Sequence, residues 1–149
     1  PGMGSASAIV PNSQLRTRLR ETAFGFGLLP NGIGFVAAAA AYSEGQPWAD
    51  ALVRHLEHNR DTVVDFVGAH MPGIRVTRPE GTYLTWMDCR ELGIDNPYQY
   101  FLEHAKVALN DGVPFGQGGQ GFARLNFGCS HDMLMQALSQ MAAQIPPGN

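Results

Sequence analysis

Arg124 is the residue whose type and setting invite a chemical reading first. It lies in Gly112 to Gly128, GVPFGQGGQGFARLNFG, where a glycine-rich loop runs straight into an alternating run. In a strand, Phe122, Arg124, Asn126 and Gly128 share one face, and Ala123, Leu125 and Phe127 share the other. The second set is apolar and suits burial, so the guanidinium is displayed on the opposite face. A planar, permanently charged fork of donors matches a carboxylate. Arg124 is therefore expected to hold the carboxylate of a small substrate. The competing reading is a surface arginine paired with a Glu or Asp, an arrangement of little energetic consequence. The adjacent loop, which lets another group approach its backbone, favours the functional reading.

Other residues make weaker cases. Gly112, Gly116, Gly118, Gly119 and Gly121 suggest a phosphate cradle, but the stretch matches neither the dinucleotide nor the P-loop pattern. It has no following Lys-Ser/Thr and leads into a strand instead of a helix. A loop needing unusual backbone angles is the better account. His55 and His58 are three apart on a helix, yet no third ligand lies at a matching spacing, so no metal site is expected and both are read as solvated. His131 is read as a local residue of a helix's first turn, and Glu80 as a surface carboxylate before a Gly turn. Cys129 has no histidine placed to activate it.

The elements that must position Arg124 follow from the pattern. Ser5 to Val10 reads as a strand closed by Pro11-Asn12. Asn12 or Ser13 caps a helix to about Thr22, with Leu15 and Leu19 as its apolar side. Phe24 to Gly32 is a loop so rich in aromatic and apolar groups that it is expected to be covered. Ile33 to Tyr42 is an Ala-rich helix, apolar nearly all round, as for burial on most sides. Pro47 to about Ala69 is the longest helix, with Trp48, Leu52, Leu56, Val63, Phe66 and Val67 at helical spacing. Strands are expected at Ile74–Thr77, Thr82–Cys89, Val107–Asn110 and around Arg124. A helix opens at Asn96-Pro97 with Phe101, Leu102 and Ala105 inside, and a last helix, capped by Ser130, turns Leu134, Leu138, Met141 and Ile145 inward. The result is an α/β sandwich with helices on one face of a small sheet.

The chain has 149 residues, 44% of them hydrophobic and only 15% charged, which supports a real core and leaves apolar surface for partners. A net charge of −3 argues against nucleic acid or an anionic membrane as partner. The basic cluster Arg16, Arg18 and Arg20 lacks interleaved aromatics. Cys89 and Cys129 are too few for a disulfide framework and read as buried free thiols, which fits a reducing, cytoplasmic setting. The longest apolar run, Phe35 to Tyr42, is far too short to span a bilayer.

Six segments in series resemble the C-terminal part of fold-type I pyridoxal-phosphate enzymes: PGMGSASAIVPN, NGIGFVAAAAAYSEGQPWADAL, LEHNRD, PEGTYLTWMDCRELG, VALNDGVPFGQGGQGFARLNFGCS and the final helix. The closest resemblance is to the cystathionine β-lyase-like (MalY/PatB) C–S lyase branch of the class I/II aminotransferase superfamily. It implies that residues 1–45 end the cofactor-binding large domain and that 46–149 form the C-terminal small domain with the long interdomain helix. It implies pyridoxal 5'-phosphate as cofactor, a homodimer, and β-elimination from an amino acid to pyruvate, ammonia and a thiol. Arg124-Leu125-Asn126 matches the family's substrate-carboxylate arginine, and Gly81 and Thr82 are secondary candidates near the active-site mouth.

The same resemblance puts the Schiff-base lysine a few residues upstream of Pro1, since the only lysine here, Lys106, does not match that position. The fragment is then expected to be inactive alone, with no catalytic residue of its own and no assignable cofactor contact. Aspartate-aminotransferase relatives carry a phosphate-binding arginine shortly after the lysine; Gly2 to Val10 contains none, which favours the lyase branch. Transamination on the same fold is the alternative. A non-catalytic ligand-binding or interaction module is the alternative of another class.

Overall fold

The computed structural model describes residues 3–27 and 31–146, and the chain divides into two compact units, residues 1–51 and 52–149. Pro1-Gly2 and the middle of the apolar loop, 28–30, lie outside the described residues.

The first unit is helical. α1 (Ser13–Gly25) starts where Asn12 turns its side chain to the backbone N–H of Leu15, as an N-cap does for an otherwise unpaired donor. α2 (Gly32–Glu44) starts the same way: the Asn31 carboxamide accepts from Gly34 N at 2.6 Å and donates to Met3 O at 2.8 Å. Gly34 is buried there, and a Cβ would meet Met3 O and Ser5 Cβ at 2.9 Å. Ser5 to Val10, expected to be a strand, is irregular. A strand needs a neighbour to accept its ladder, and the described residues of this unit contain no other extended segment paired to it. The apolar groups expected to be covered are open: Leu15, Phe24, Phe26, Phe35 and Tyr42 are all exposed, and Ile9 is 91% exposed. Periodicity marks which side of a helix wants burial, but two short helices cannot supply the second layer that covers it.

α3 (Gln46–His70) runs 25 residues, on the order of 37 Å at ~1.5 Å per residue. Its apolar stripe is used only in its later turns. Val63 and Val67 are buried and Leu56 and Phe66 partly so, whereas Trp48 and Leu52 are exposed.

The second unit is built on a four-stranded, wholly antiparallel sheet in the order β1-β2-β4-β3. The strands are β1 (Arg75–Val76), β2 (Leu84–Asp88), β3 (Asn110–Asp111) and β4 (Phe122–Asn126). Thr85 and Met87 of β2, with Ala123, Leu125 and Phe127 at β4, are buried. Thr85 apart, they form one core with Val63 and Val67 of α3, Phe101 and Ala105, and Leu134, Leu138 and Met141 of α5 (His131–Ala142). Ser130 caps α5 through Met133 N, and Ile145 packs on the core's margin. Helices thus cover one face of the sheet.

Departures from the expected elements are local. The helix after Asn96-Pro97 is a single α-turn, α4 (Pro97–Tyr100), continued as a π-helical turn over Phe101–Ala105. The change of pitch brings Phe101 and Ala105 inward but leaves Leu102 exposed, against expectation. Val107 N still bonds back to Phe101 O at 3.1 Å, so Val107 closes the helix, and strand pairing begins only at Asn110.

Candidate functional site

Arg124 occupies the middle of β4, directly opposite Trp86 of β2 on one side and Asn110 of β3 on the other. The alternation read from sequence holds, with Ala123, Leu125 and Phe127 buried and Phe122, Arg124 and Asn126 on the other face. The guanidinium donates from Nε (3.3 Å) and Nη2 (3.1 Å) to the same oxygen, Asn110 Oδ1. Its central carbon lies 4.6 Å from the centroid of the Phe115 ring, within cation–π range. Trp86 meets Phe115 edge-on at 5.3 Å and stacks on Phe122 at 5.6 Å.

A second arginine on this face makes the contrast clear. Arg90 lies 4.8 Å over the Phe122 ring and donates to both oxygens of Asp88, Nε to Oδ1 at 2.8 Å and Nη2 to Oδ2 at 2.7 Å. That bidentate hydrogen bond holds the Asp88 carboxyl below its ordinary range. Arg90 is neutralised in place. Arg124 has no such partner: among the described residues it enters no salt bridge, and its acceptor is a neutral amide.

The glycine loop is a piece of backbone engineering around this arginine. Gly112 and Gly119 pack backbone to backbone, and a Cβ on either would collide with the carbonyl oxygen of the other. Gly116 has φ +103°, a conformation that side chains resist. The loop closes by Gly112 N to Phe122 O (3.1 Å) and Phe122 N to Gly119 O (3.2 Å), and its short 3₁₀ turn Val113–Phe115 delivers Phe115 to the guanidinium.

Gly81 and Thr82 lie in the turn before β2, at a cavity of about 230 Å³ lined among others by Leu56, Arg60, Glu80, Tyr83 and Phe127. Thr82 has φ +65°, and its Oγ1 accepts from Leu84 N at 3.3 Å. A β-branched residue in the left-handed region is a genuine outlier. Arg124 is not among the lining residues, so the structure sets these secondary candidates apart from it. Glu80 is exposed, and Lys106 is exposed with Nζ on Glu103 O at 2.8 Å.

The histidines are not simply solvated. His55 Nε2 lies 2.8 Å from Cys129 O, and His58 stacks on His131 with centroids 4.5 Å apart. His131, expected to act locally, reaches from α5 to Asn59 Oδ1 on α3 at 3.2 Å. Asn59 is the hub that the sequence reading missed. It is fully buried, and Nδ2 donates to Phe127 O and Cys129 O, both at 2.9 Å. Its two amide hydrogens are thereby used, which assigns Oδ1 as acceptor from His131 and His55 Nε2 as donor to Cys129 O. The available signal was an asparagine at helical spacing between Leu56 and Val63, a polar group on an apolar stripe. Neither thiol is activated: Cys89 is buried, and Cys129 is half-buried with its thiol pushed up by burial. No helix among the described residues is long and apolar enough to cross a membrane.

The second unit thus presents an antiparallel sheet backed by helices on one face and, on the other, an arginine that enters no salt bridge among the described residues. The chain belongs to the aminotransferase class I and II family, whose model matches residues 2–141. A Mycobacterium leprae protein that carries a cystathionine beta-lyase name is 41% identical over 94% of this chain and 38% of its own length. Cystathionine beta-lyase PatB of Bacillus subtilis is 33% identical over 97% of this chain and 38% of its own. Cystalysin from Treponema denticola, solved with a pyridoxal 5'-phosphate cofactor, superposes with a TM-score of 0.85 at 28% identity over 95% of this chain and 37% of its own. The chain therefore spans somewhat over a third of the length of these relatives.

Proposed function

We propose that this chain is the C-terminal part of a pyridoxal-phosphate-dependent C–S β-lyase of the cystathionine β-lyase type, and that Arg124 receives the α-carboxylate of its amino-acid substrate. The observation that carries the reading is the free guanidinium at the centre of an open sheet face, in a chain similar along almost its whole length to cystathionine β-lyases. In this reading residues 1–45 end the cofactor-binding domain and 46–149 form the small domain, and the whole protein is a homodimer. The donor set present fits the substrate end of such a site and not the cofactor: Lys106, the chain's only lysine, is engaged with Glu103 O. The cofactor, when bound, withdraws electrons from the substrate's α-carbon. The part of this chain is to grip and orient. A carboxylate held on a fixed fork restricts rotation of the α-carbon, the kind of orientation that contributes several kcal/mol (~7–11 at the upper limit) to intramolecular reactions.

The test uses the full-length protein. Cystathionine should release pyruvate without an amino acceptor, and visible absorbance should be lost on borohydride reduction. Keto-acid formation only with an amino acceptor points instead to transamination, and a colourless protein that takes up no cofactor rejects both. Arg124→Ala should raise KM for cystathionine by ~10- to 100-fold, the range for losing a charge-assisted hydrogen-bonded partner, with cofactor colour intact. Loss of folding with KM unchanged in the surviving fraction would return Arg124 to a structural role.

A further inference from the structure

A guanidinium can meet a carboxylate along either of two edges, the side edge formed by Nε–H and Nη2–H or the end formed by Nη1–H and Nη2–H. The two arginines of this sheet face use the same side edge differently. Arg90 spends it on the charged Asp88 carboxylate. Arg124 spends it on Asn110 Oδ1, a neutral acceptor. The amide fixes the orientation of the fork and leaves its charge uncancelled. The Phe115 ring then lies against the guanidinium, its centroid 4.6 Å from the central carbon, and is itself held in a T-shaped contact with Trp86 at 5.3 Å. What stays free is the Nη1–Nη2 end.

We propose that Asn110 and Phe115 are positioning residues that lock the Arg124 guanidinium so that it takes a ligand carboxylate end-on; this rests on the reading of Arg124 as the carboxylate holder. Both are held where the role needs them. Asn110 is the β3 residue directly opposite Arg124 in the ladder. Phe115 is delivered by the 3₁₀ turn that the Gly112–Gly119 contact closes. The loop that looked like an anion cradle thus acts one step removed, by carrying the ring that orients the anion-binding arginine. Both side chains are otherwise exposed, so their replacement spares the core.

The experiment measures, in the full-length protein with cofactor, KI for propionate, which carries the carboxylate and nothing that can react. KM and kcat for cystathionine are measured alongside. Asn110→Ala leaves the charge but frees the fork, and should raise KI by about tenfold, the scale of one hydrogen bond to a charged group. Asn110→Asp keeps the acceptor but cancels the charge, and should raise KI further, towards the value for Arg124→Ala. Phe115→Leu should raise KI severalfold, and Phe115→Tyr, which keeps the ring, should restore it. The proposal is overturned if Arg124→Ala raises KI while both Asn110 variants stay within about twofold of the parent, or if Asn110→Asp binds propionate as well as Asn110→Ala. If Arg124→Ala itself leaves KI unchanged, the carboxylate reading fails first and takes this one with it. Should Asn110→Asp not fold, Asn110→Ala and the Phe115 pair decide the matter alone.

Discussion

Removing the Asn59 carboxamide should loosen the segment that leads out of the Arg124 strand. Asn59 is fully buried and bonds Phe127 O, Cys129 O and His131 at 2.9, 2.9 and 3.2 Å. In Asn59→Ala, Cys129 O keeps the His55 donor at 2.8 Å, and half-buried His131 can turn to water, but Phe127 O loses its side-chain donor. One orphaned buried carbonyl costs ~1–3 kcal/mol, and the vacated space adds about 1 kcal/mol. A local destabilisation of ~2–4 kcal/mol follows, or ~30- to 1000-fold faster exchange of amides that open by local unfolding. Hydrogen exchange read by mass spectrometry on peptides spanning Phe127 to Leu134 measures it, since Phe127 N and Leu134 N are bonded to Tyr83 O and Ser130 O. Asn59→Leu separates the causes: it refills the volume but supplies no donor. Exchange in Asn59→Leu as slow as in the parent would refute the argument, because packing alone would then explain the residue. Asn59→Asp should be worst, since a carboxylate would face two carbonyl oxygens.

Three further outcomes follow from the geometry. Gly119→Ala should destabilise the loop by ~3 kcal/mol or more, because the new methyl meets backbone and not a flexible side chain; a midpoint of denaturation unchanged from the parent would contradict the packing. Lys106→Gly should stabilise by about 1 kcal/mol, since Lys106 sits at φ +58° at the end of the π-helical turn, and cofactor absorbance should be unaffected. Loss of that absorbance would show that Lys106 does carry the cofactor. Burial, with Asp88's charge adding, pushes the Cys89 thiol from 9.0 up to about 12. The native protein should therefore yield Cys89 to a thiol reagent only on unfolding. The folded thiol stays neutral where the unfolded one ionises, so its contribution to stability is whole below about 9 and is lost as pH rises towards 12; alkaline denaturation of Cys89→Ala should be shifted upward relative to the parent.

What could be read in advance was whatever a residue decides with its near neighbours. Asn12, Asn96 and Ser130 each start a helix because one side-chain oxygen reaches a backbone N–H three residues on, and that is visible in a string. The β4 alternation is equally local, and it put Arg124 on the open face before any partner was known. Residues 5–10 failed because strand propensity has no meaning until another strand accepts the ladder. The apolar α2 and the first turns of α3 lie exposed in this chain, because a stripe says which side wants burial, not what provides the covering layer. Asn59 was missed for the opposite reason: its partners lie 68 to 72 residues away, and only their convergence turns an odd polar residue into a clamp. The same distinction separates Arg124 from Arg90. Each is an arginine beside an aromatic residue, but Asp88 stands only two residues before Arg90, whereas the acceptor of Arg124 lies 14 residues away. The Asp88–Arg90 pair is local, and only the register sets Asn110 opposite Arg124. An acid at 110, in place of the amide, would have made Arg124 a second Arg90, with the same fold and no charge left to offer.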